Sequence, residues 1–181
     1  MSNMLEGTFD LEQKKMQFGF RRAFHDDAPD VRDLFGHYYL HYHSGKSAGL
    51  SSRILTFLAS AGETFISGGS FWVARDMTDD TLAGCFFLDF PNPDYVALSF
   101  FTIDPKLIKT LFPLRMAQFA TAKAQDLGAR DVCLWNGTSF TEAASCFREL
   151  GYNPTDAKRR LDNDSSFEEV CYARSLWYQP K

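Results

Sequence analysis

Apolar residues recur along this chain at two spacings, every second position and every third or fourth, and the changes of period divide it into strands and helices. "QFGFRRAF", Gln17 to Phe24, alternates and reads as an opening strand. In "HDDAPDVRDLFGHYYLHY", Val31, Leu34, Phe35, Tyr38 and Tyr42 fall on one helical face, with Asp26 or Asp27 as cap and Pro29 suited to the first turn. Gly45 and Gly49 interrupt that pattern before a shorter helix, "SSRILTFLASAG". "SFWVARDM" and "TLAGCFFLDF" then form two strands joined across "TDD", a hairpin by spacing and turn chemistry. After the break at "PNP", "DYVALSFFTID" continues the meander, and its alternation puts Ser99, Phe101 and Ile103 on one face.

A long helix is expected from about Pro113 to Leu127, with Gly128 just past its end, followed by a short central strand, "DVCLW". "SFTEAASCFRELGY" carries a capping box, Ser139 with Glu142, an apolar stripe of Ala143, Phe147 and Leu150, and a terminating Gly151. "DAKRRLD" and "FEEVCYARSL" are expected to close the fold as an antiparallel pair. The order β-α-α-β-β-β-α-β-α-β-β combines a meander with a crossover helix, which implies a mixed α/β sheet with helices on both faces.

With 181 residues and 45% hydrophobic content the chain can bury one sizeable core, so a single domain over 1–181 is expected, residues 1–16 being a loosely held extension. The 18 Phe, 7 Tyr and 3 Trp imply a core of large flat side chains or an apolar groove. A net charge of -4 argues against nucleic acid as a partner, since phosphate binding needs a clustered basic face. Cys85, Cys133, Cys146 and Cys171 lack CxxC spacing and read as free thiols in a reducing compartment. No apolar run is long enough for a signal peptide or a membrane span, so a cytoplasmic protein is expected.

Three fragments, in order and at fixed spacing, carry a resemblance: "TIDP" at the end of the strand before the long helix, "LGA" at Leu127 to Ala129, and "AASCFRELGY", Ala143 to Tyr152. Together they resemble the GNAT superfamily of acyl-CoA-dependent N-acetyltransferases over roughly Phe18 to Leu176. The resemblance implies acetyl-CoA or another acyl-CoA as co-substrate, a small-molecule or protein amine as acceptor, and a homodimer as one open arrangement. Its pantetheine contacts come from main-chain groups that match Phe101, Thr102 and Ile103. Its Arg-Gly-x-Gly-x-Gly pyrophosphate loop falls on Ile108, Lys109, Thr110, Leu111, Phe112 and Pro113, where every glycine is replaced. Lys109 and Thr110 could supply a charge and a hydroxyl, while Leu111, Phe112 and Pro113 are expected to crowd the approach and remove a donor. Phe140 stands where the family often has Asn, and Phe147 where many members have the Tyr that protonates the leaving thiolate. Phe cannot donate a proton.

The resemblance implies a catalytic base at the start of the strand before the long helix, which makes Asp94 and Tyr95 candidates, and an acceptor pocket beside the link after the first helix, which makes His41 another. Asp94 serves equally as a turn cap, and Asp89 is a comparable alternative. His37, His41 and His43 lie close in sequence, yet "HYYLHYH" lacks the carboxylate of a zinc motif, so no metal is expected and the histidines are either structural or on the acceptor side. Two functions follow: acyl transfer to an amine, or a non-catalytic GNAT-fold binding module that has lost CoA-dependent chemistry. A donor held on an acyl carrier protein is a third option, because it relaxes the need for the usual phosphate cradle.

Overall fold

The computed structural model describes residues 7–11, 16–42, 70–92, 95–137, 141–160 and 168–176. Eight strands make one sheet: β1 (Gly7–Leu11), β2 (Met16–Arg22), β3 (Ser70–Asp76), β4 (Leu82–Asn92), β5 (Tyr95–Ile103), β6 (Asp131–Gly137), β7 (Asn153–Arg160) and β8 (Glu168–Ser175). Their order across the sheet is β1-β2-β3-β4-β5-β6-β8-β7. Every neighbouring pair is antiparallel except β5 and β6, which run parallel because a crossover helix joins them. Three helices are described, α1 (Ala28–Tyr42), α2 (Phe112–Asp126) and α3 (Thr141–Glu149). The mixed sheet with helices on both faces is thus as the pattern implied. The helix expected over "SSRILTFLASAG" lies outside the described residues.

Alternation along the central strands sorts the aromatics between two cores. Val31, Leu34 and Phe35 of α1 pack with Phe71, Val73, Leu82 and Cys85 on one face. Phe18, Phe20, Trp72, Phe86 and Leu88 turn to the other face, where they meet Phe112, Met116 and Ala120 of α2 and Phe147 of α3. Close approach of α2 depends on Gly84. A Cβ there would lie 2.6 Å from Met116 Sδ and 3.1 Å from the Thr102 carbonyl.

Both glycines expected to end helices do so with positive φ, +81° at Gly128 and +83° at Gly151. Each makes the paired terminal bonds of a Schellman motif: Ala129 N–H to the Ala124 carbonyl (3.2 Å) and Gly128 N–H to Gln125 (2.9 Å), then Tyr152 N–H to Phe147 (3.0 Å) and Gly151 N–H to Arg148 (2.9 Å). At the amino terminus the structure departs from the expected loose extension, because Gly7–Leu11 pairs with β2 as an edge strand.

One polar cluster fixes where α1 begins. Asp27, 2% exposed, ends a 3-10 turn over His25–Asp27 and accepts hydrogen bonds from both terminal nitrogens of Arg21 (2.6 and 2.7 Å), from the Phe24 amide (2.7 Å) and from Arg75 Nη2 (2.7 Å). Arg75 also reaches Asp30 in the first turn of α1 (2.6 Å). Asp27 therefore does more than cap: it joins β2, β3 and the start of α1. Burial alone pushes its carboxyl up, and the hydrogen bonds from Arg21, the Phe24 amide and Arg75 outweigh this and hold it below the ordinary aspartate value.

Candidate functional site

The one parallel pair among the described strands comes apart halfway along. β5 and β6 pair from Tyr95 with Asp131 to Leu98 with Leu134; beyond that, among the described residues, no ladder joins Ser99–Ile103 to Trp135–Gly137. Where the two strands part, β5 is bulged. Phe87 of β4 pairs with Ser99 and Cys85 pairs with Thr102, so Phe100 and Phe101 together oppose the single residue Phe86. Phe100 has φ of +53°, in the left-handed region, where a bulky residue is a genuine outlier costing about 1–2 kcal/mol.

Surrounding groups hold that conformation. The Phe100 ring meets Phe35 of α1 edge-on at 5.8 Å, and the Thr102 hydroxyl donates to the Phe100 carbonyl at 3.2 Å. The extra residue also reverses the alternation. Ser99 and Thr102 face α1, opposite Phe87 and Cys85, whereas Phe101 and Ile103 pack into the α2 side. The expected shared face of Ser99, Phe101 and Ile103 is thus corrected: the bulge removes Ser99 from it.

On the α2 side Phe101 meets Phe147 at 4.8 Å, and Phe147 meets Tyr152 at 5.1 Å, both edge-on. Phe147 is fully buried and has no proton to give. The neighbouring Tyr152 hydroxyl is not open to a reacting group either. That hydroxyl is buried, lies 2.8 Å from Thr121 Oγ1, which itself donates to the Ala117 carbonyl (2.8 Å), and burial raises its pKa.

The turn after β5 has spent most of its backbone donors on itself, leaving the amides of Lys109, Leu111 and Leu114 without a bond in it. The amides of Lys106 and Leu107 bond to Asp104 Oδ1 (2.9 Å) and the Asp104 carbonyl (2.8 Å). Ile108 N–H reaches the Pro105 carbonyl (3.5 Å), Thr110 N–H the Leu107 carbonyl (3.0 Å) and Arg115 N–H the Leu111 carbonyl (3.0 Å). Thr110 Oγ1 donates to the Leu107 carbonyl (2.6 Å) and accepts from the Phe112 amide (3.1 Å), closing a side-chain turn just ahead of the helix. Pro113 has no amide to offer.

The expected crowding by Phe112 does not occur, because its ring turns inward and packs at 4.6 Å on Phe18. Pro113 is likewise buried, Lys109 is exposed, and Leu111, 60% exposed, stands outward alone. A cavity of about 260 Å³ lies on the other side of this turn, lined by Met16, Asp76, Asp79, Asp104, Lys106 and Leu107 among others, and no β6 residue lines it.

Of the proposed bases, Tyr95 is described, and it is not brought to the bulge. Tyr95 starts β5, six residues before Phe101 and about 20 Å away along the strand. Asp89 is exposed on β4 opposite Ala97. Asp94, His43 and Phe140 lie outside the described residues, as does the side chain of His41, while His37 is exposed on α1. Among the described residues no group of three or more His, Cys, Asp or Glu is placed to hold a metal. Cys85 is fully buried, and burial pushes its thiol far above the ordinary value; the Cys146 thiol is raised for the same reason, so neither is an activated nucleophile.

Together these elements make a mixed sheet with a splayed parallel pair, a bulge at the parting point and a helix leading away from it. Solved structures agree. An acetyltransferase of the GNAT family from Staphylococcus aureus Mu50 superposes with a TM-score of 0.71 at 14% identity, covering 88% of this chain and 99% of that one. PaiA N-acetyltransferase from Thermoplasma acidophilum, in complex with coenzyme A, gives 0.67 at 12% identity over 87% and 98%. A GNAT family acetyltransferase from Elizabethkingia anophelis with acetyl-CoA bound gives 0.54 at 13% identity over 65% and 82%. No family model and no curated protein sequence matches the chain. The fold is the GNAT fold, and at these identities the likeness speaks for the fold alone.

Proposed function

We propose that the chain is an N-acyltransferase that moves an acyl group, acetyl in the simplest case, from a pantetheine thioester such as acetyl-CoA to an amine of a small molecule or protein. The observation that carries this reading is the strained bulge at Phe100 placed where β5 and β6 part. The open edge of Ser99–Ile103 can take an extended pantetheine arm as a strand would, and main-chain donors at the bulge can polarise a thioester carbonyl set beside them. An amine nitrogen held next to that carbon attacks it, the C–S bond breaks, and the thiolate leaves; the amine's proton passes to water. With Phe147 buried and without a hydroxyl, the thiolate takes its proton from water as well. Positioning then supplies most of the rate.

A second reading, a binding module without chemistry, is favoured by the same Phe147 and by the largely self-bonded turn. Native mass spectrometry of the purified protein separates the two. Acyl transfer predicts a copurifying or added acetyl-pantetheine species bound one to one, whose acetyl group is lost when a panel of primary amines is added. A protein that binds no such thioester, or binds it and leaves it intact with every amine, is the module. The free thiols suit a cytoplasmic setting for this reading.

A further inference from the structure

We infer that the site reads only the pantetheine arm of its donor and that the nucleotide half of CoA contributes nothing. The donor class is then acyl-pantetheine thioesters, whatever their distal end carries. This rests on the acyl-transfer reading and narrows its substrate. A diphosphate is held by several converging N–H groups at a helix start, each charge-assisted bond being worth roughly tenfold or more in affinity. Here the amides of Lys106, Leu107, Ile108, Thr110, Phe112 and Arg115 are bonded within the turn or the helix and Pro113 lacks one, so the amides left open, those of Lys109, Leu111 and Leu114, are never successive, whereas an anion-binding nest is built of successive N–H groups.

To serve a phosphate, the Phe112 amide would have to leave Thr110 Oγ1, whose hydroxyl is held in turn by the Leu107 carbonyl. The Phe112 ring, packed on Phe18, opposes any such shift. Cationic side chains do not replace the amides. Lys109 is exposed, and the Arg115 guanidinium is exposed and donates to Gln118 Oε1 at 3.1 Å, so each offers a solvent-screened charge worth at most a few fold. The pantetheine half differs in kind, because its contacts are with the main chain of β5, where the bulge and the parting of β5 from β6 are intact.

Calorimetry on the full chain tests this with four probes: CoA, 4′-phosphopantetheine, pantetheine, and adenosine 3′,5′-bisphosphate as the nucleotide half alone. Dissociation constants for CoA and pantetheine within tenfold of each other, with no binding of the bisphosphate at millimolar concentration, are expected. CoA more than tenfold tighter than pantetheine, or a bisphosphate that binds, overturns the inference while leaving acyl transfer standing. Failure of all four to bind removes acyl transfer itself, and the inference with it. The variant Lys109→Ala should shift CoA affinity by less than fivefold; a larger loss would show that the turn still reads phosphate. Turnover of acetyl-pantetheine against that of an acetylated acyl carrier protein then distinguishes free from carrier-borne donors, and either result keeps the inference.

Discussion

Replacing Phe100 by Ala and, separately, by Gly isolates the strain at the bulge. Both variants lose the ring that packs on Phe35, so that loss is common to the two and cancels in their difference. What remains is the backbone. In an ordinary strand Gly is less stable than Ala by roughly 0.5–1 kcal/mol, because it gives up more freedom on folding. At φ of +53° an L-residue carries about 1–2 kcal/mol that Gly does not. The balance reverses the usual order, leaving Phe100→Gly more stable than Phe100→Ala by roughly 0.5–1 kcal/mol. With a urea dependence of about 2 kcal/mol per molar, the midpoints should differ by about 0.3–0.5 M at equal slope. If Phe100→Ala unfolds at the same or higher urea than Phe100→Gly, the left-handed bulge is not the native conformation and the main-chain site built on it fails.

Two further perturbations follow. Removing the carboxylate by Asp27→Ala leaves two largely buried guanidinium groups without their partner, which should cost about 3–5 kcal/mol and lower Tm by roughly 6–20 °C. The folded pKa of Asp27 is depressed, so its contribution is complete above the unfolded value of about 4 and is lost as pH falls through the folded one. The gap between wild type and Asp27→Asn in thermal melts should therefore be flat from pH 7 to 5 and shrink below about pH 4; a gap that grows on acidification would contradict the network. Phe147→Tyr places a hydroxyl at a fully buried position, so it should raise turnover only if the oxygen reaches the parting of β5 and β6, and otherwise cost about 1–3 kcal/mol with unchanged kcat. Unchanged kcat and unchanged stability together would mean that the ring is not where the structure puts it.

The helix ends, the hairpin and the parallel pair were legible in the sequence because their signals are local: Gly128 and Gly151 past periodic stretches, Asp and Thr between strands, and a helix long enough to force a crossover. The bulge was not. Bulges with a left-handed first residue usually announce themselves by glycine, and here that residue is Phe100, held by tertiary contact with Phe35. Because one inserted residue inverts the alternation, Ser99 was assigned the wrong face. Asp27 read as a cap because its second arginine, Arg75, lies 48 residues away and leaves no local trace. The absence of glycine from Lys106 to Pro113 is plain in the sequence. That Phe112 turns inward and that Thr110 occupies the Phe112 amide depend on packing with Phe18, which sequence order does not display.

The central claim, a pantetheine site on main chain with no phosphate cradle, is tested most directly by amide NMR of the labelled protein titrated with acetyl-CoA. The expected result is saturable shifts at Phe101, Thr102, Ile103 and Trp135, with the amides of Lys106, Leu107, Ile108, Thr110 and Phe112 unmoved because they stay bonded within the turn. Shifts centred on Lys109 to Leu114, or none along β5, would contradict it.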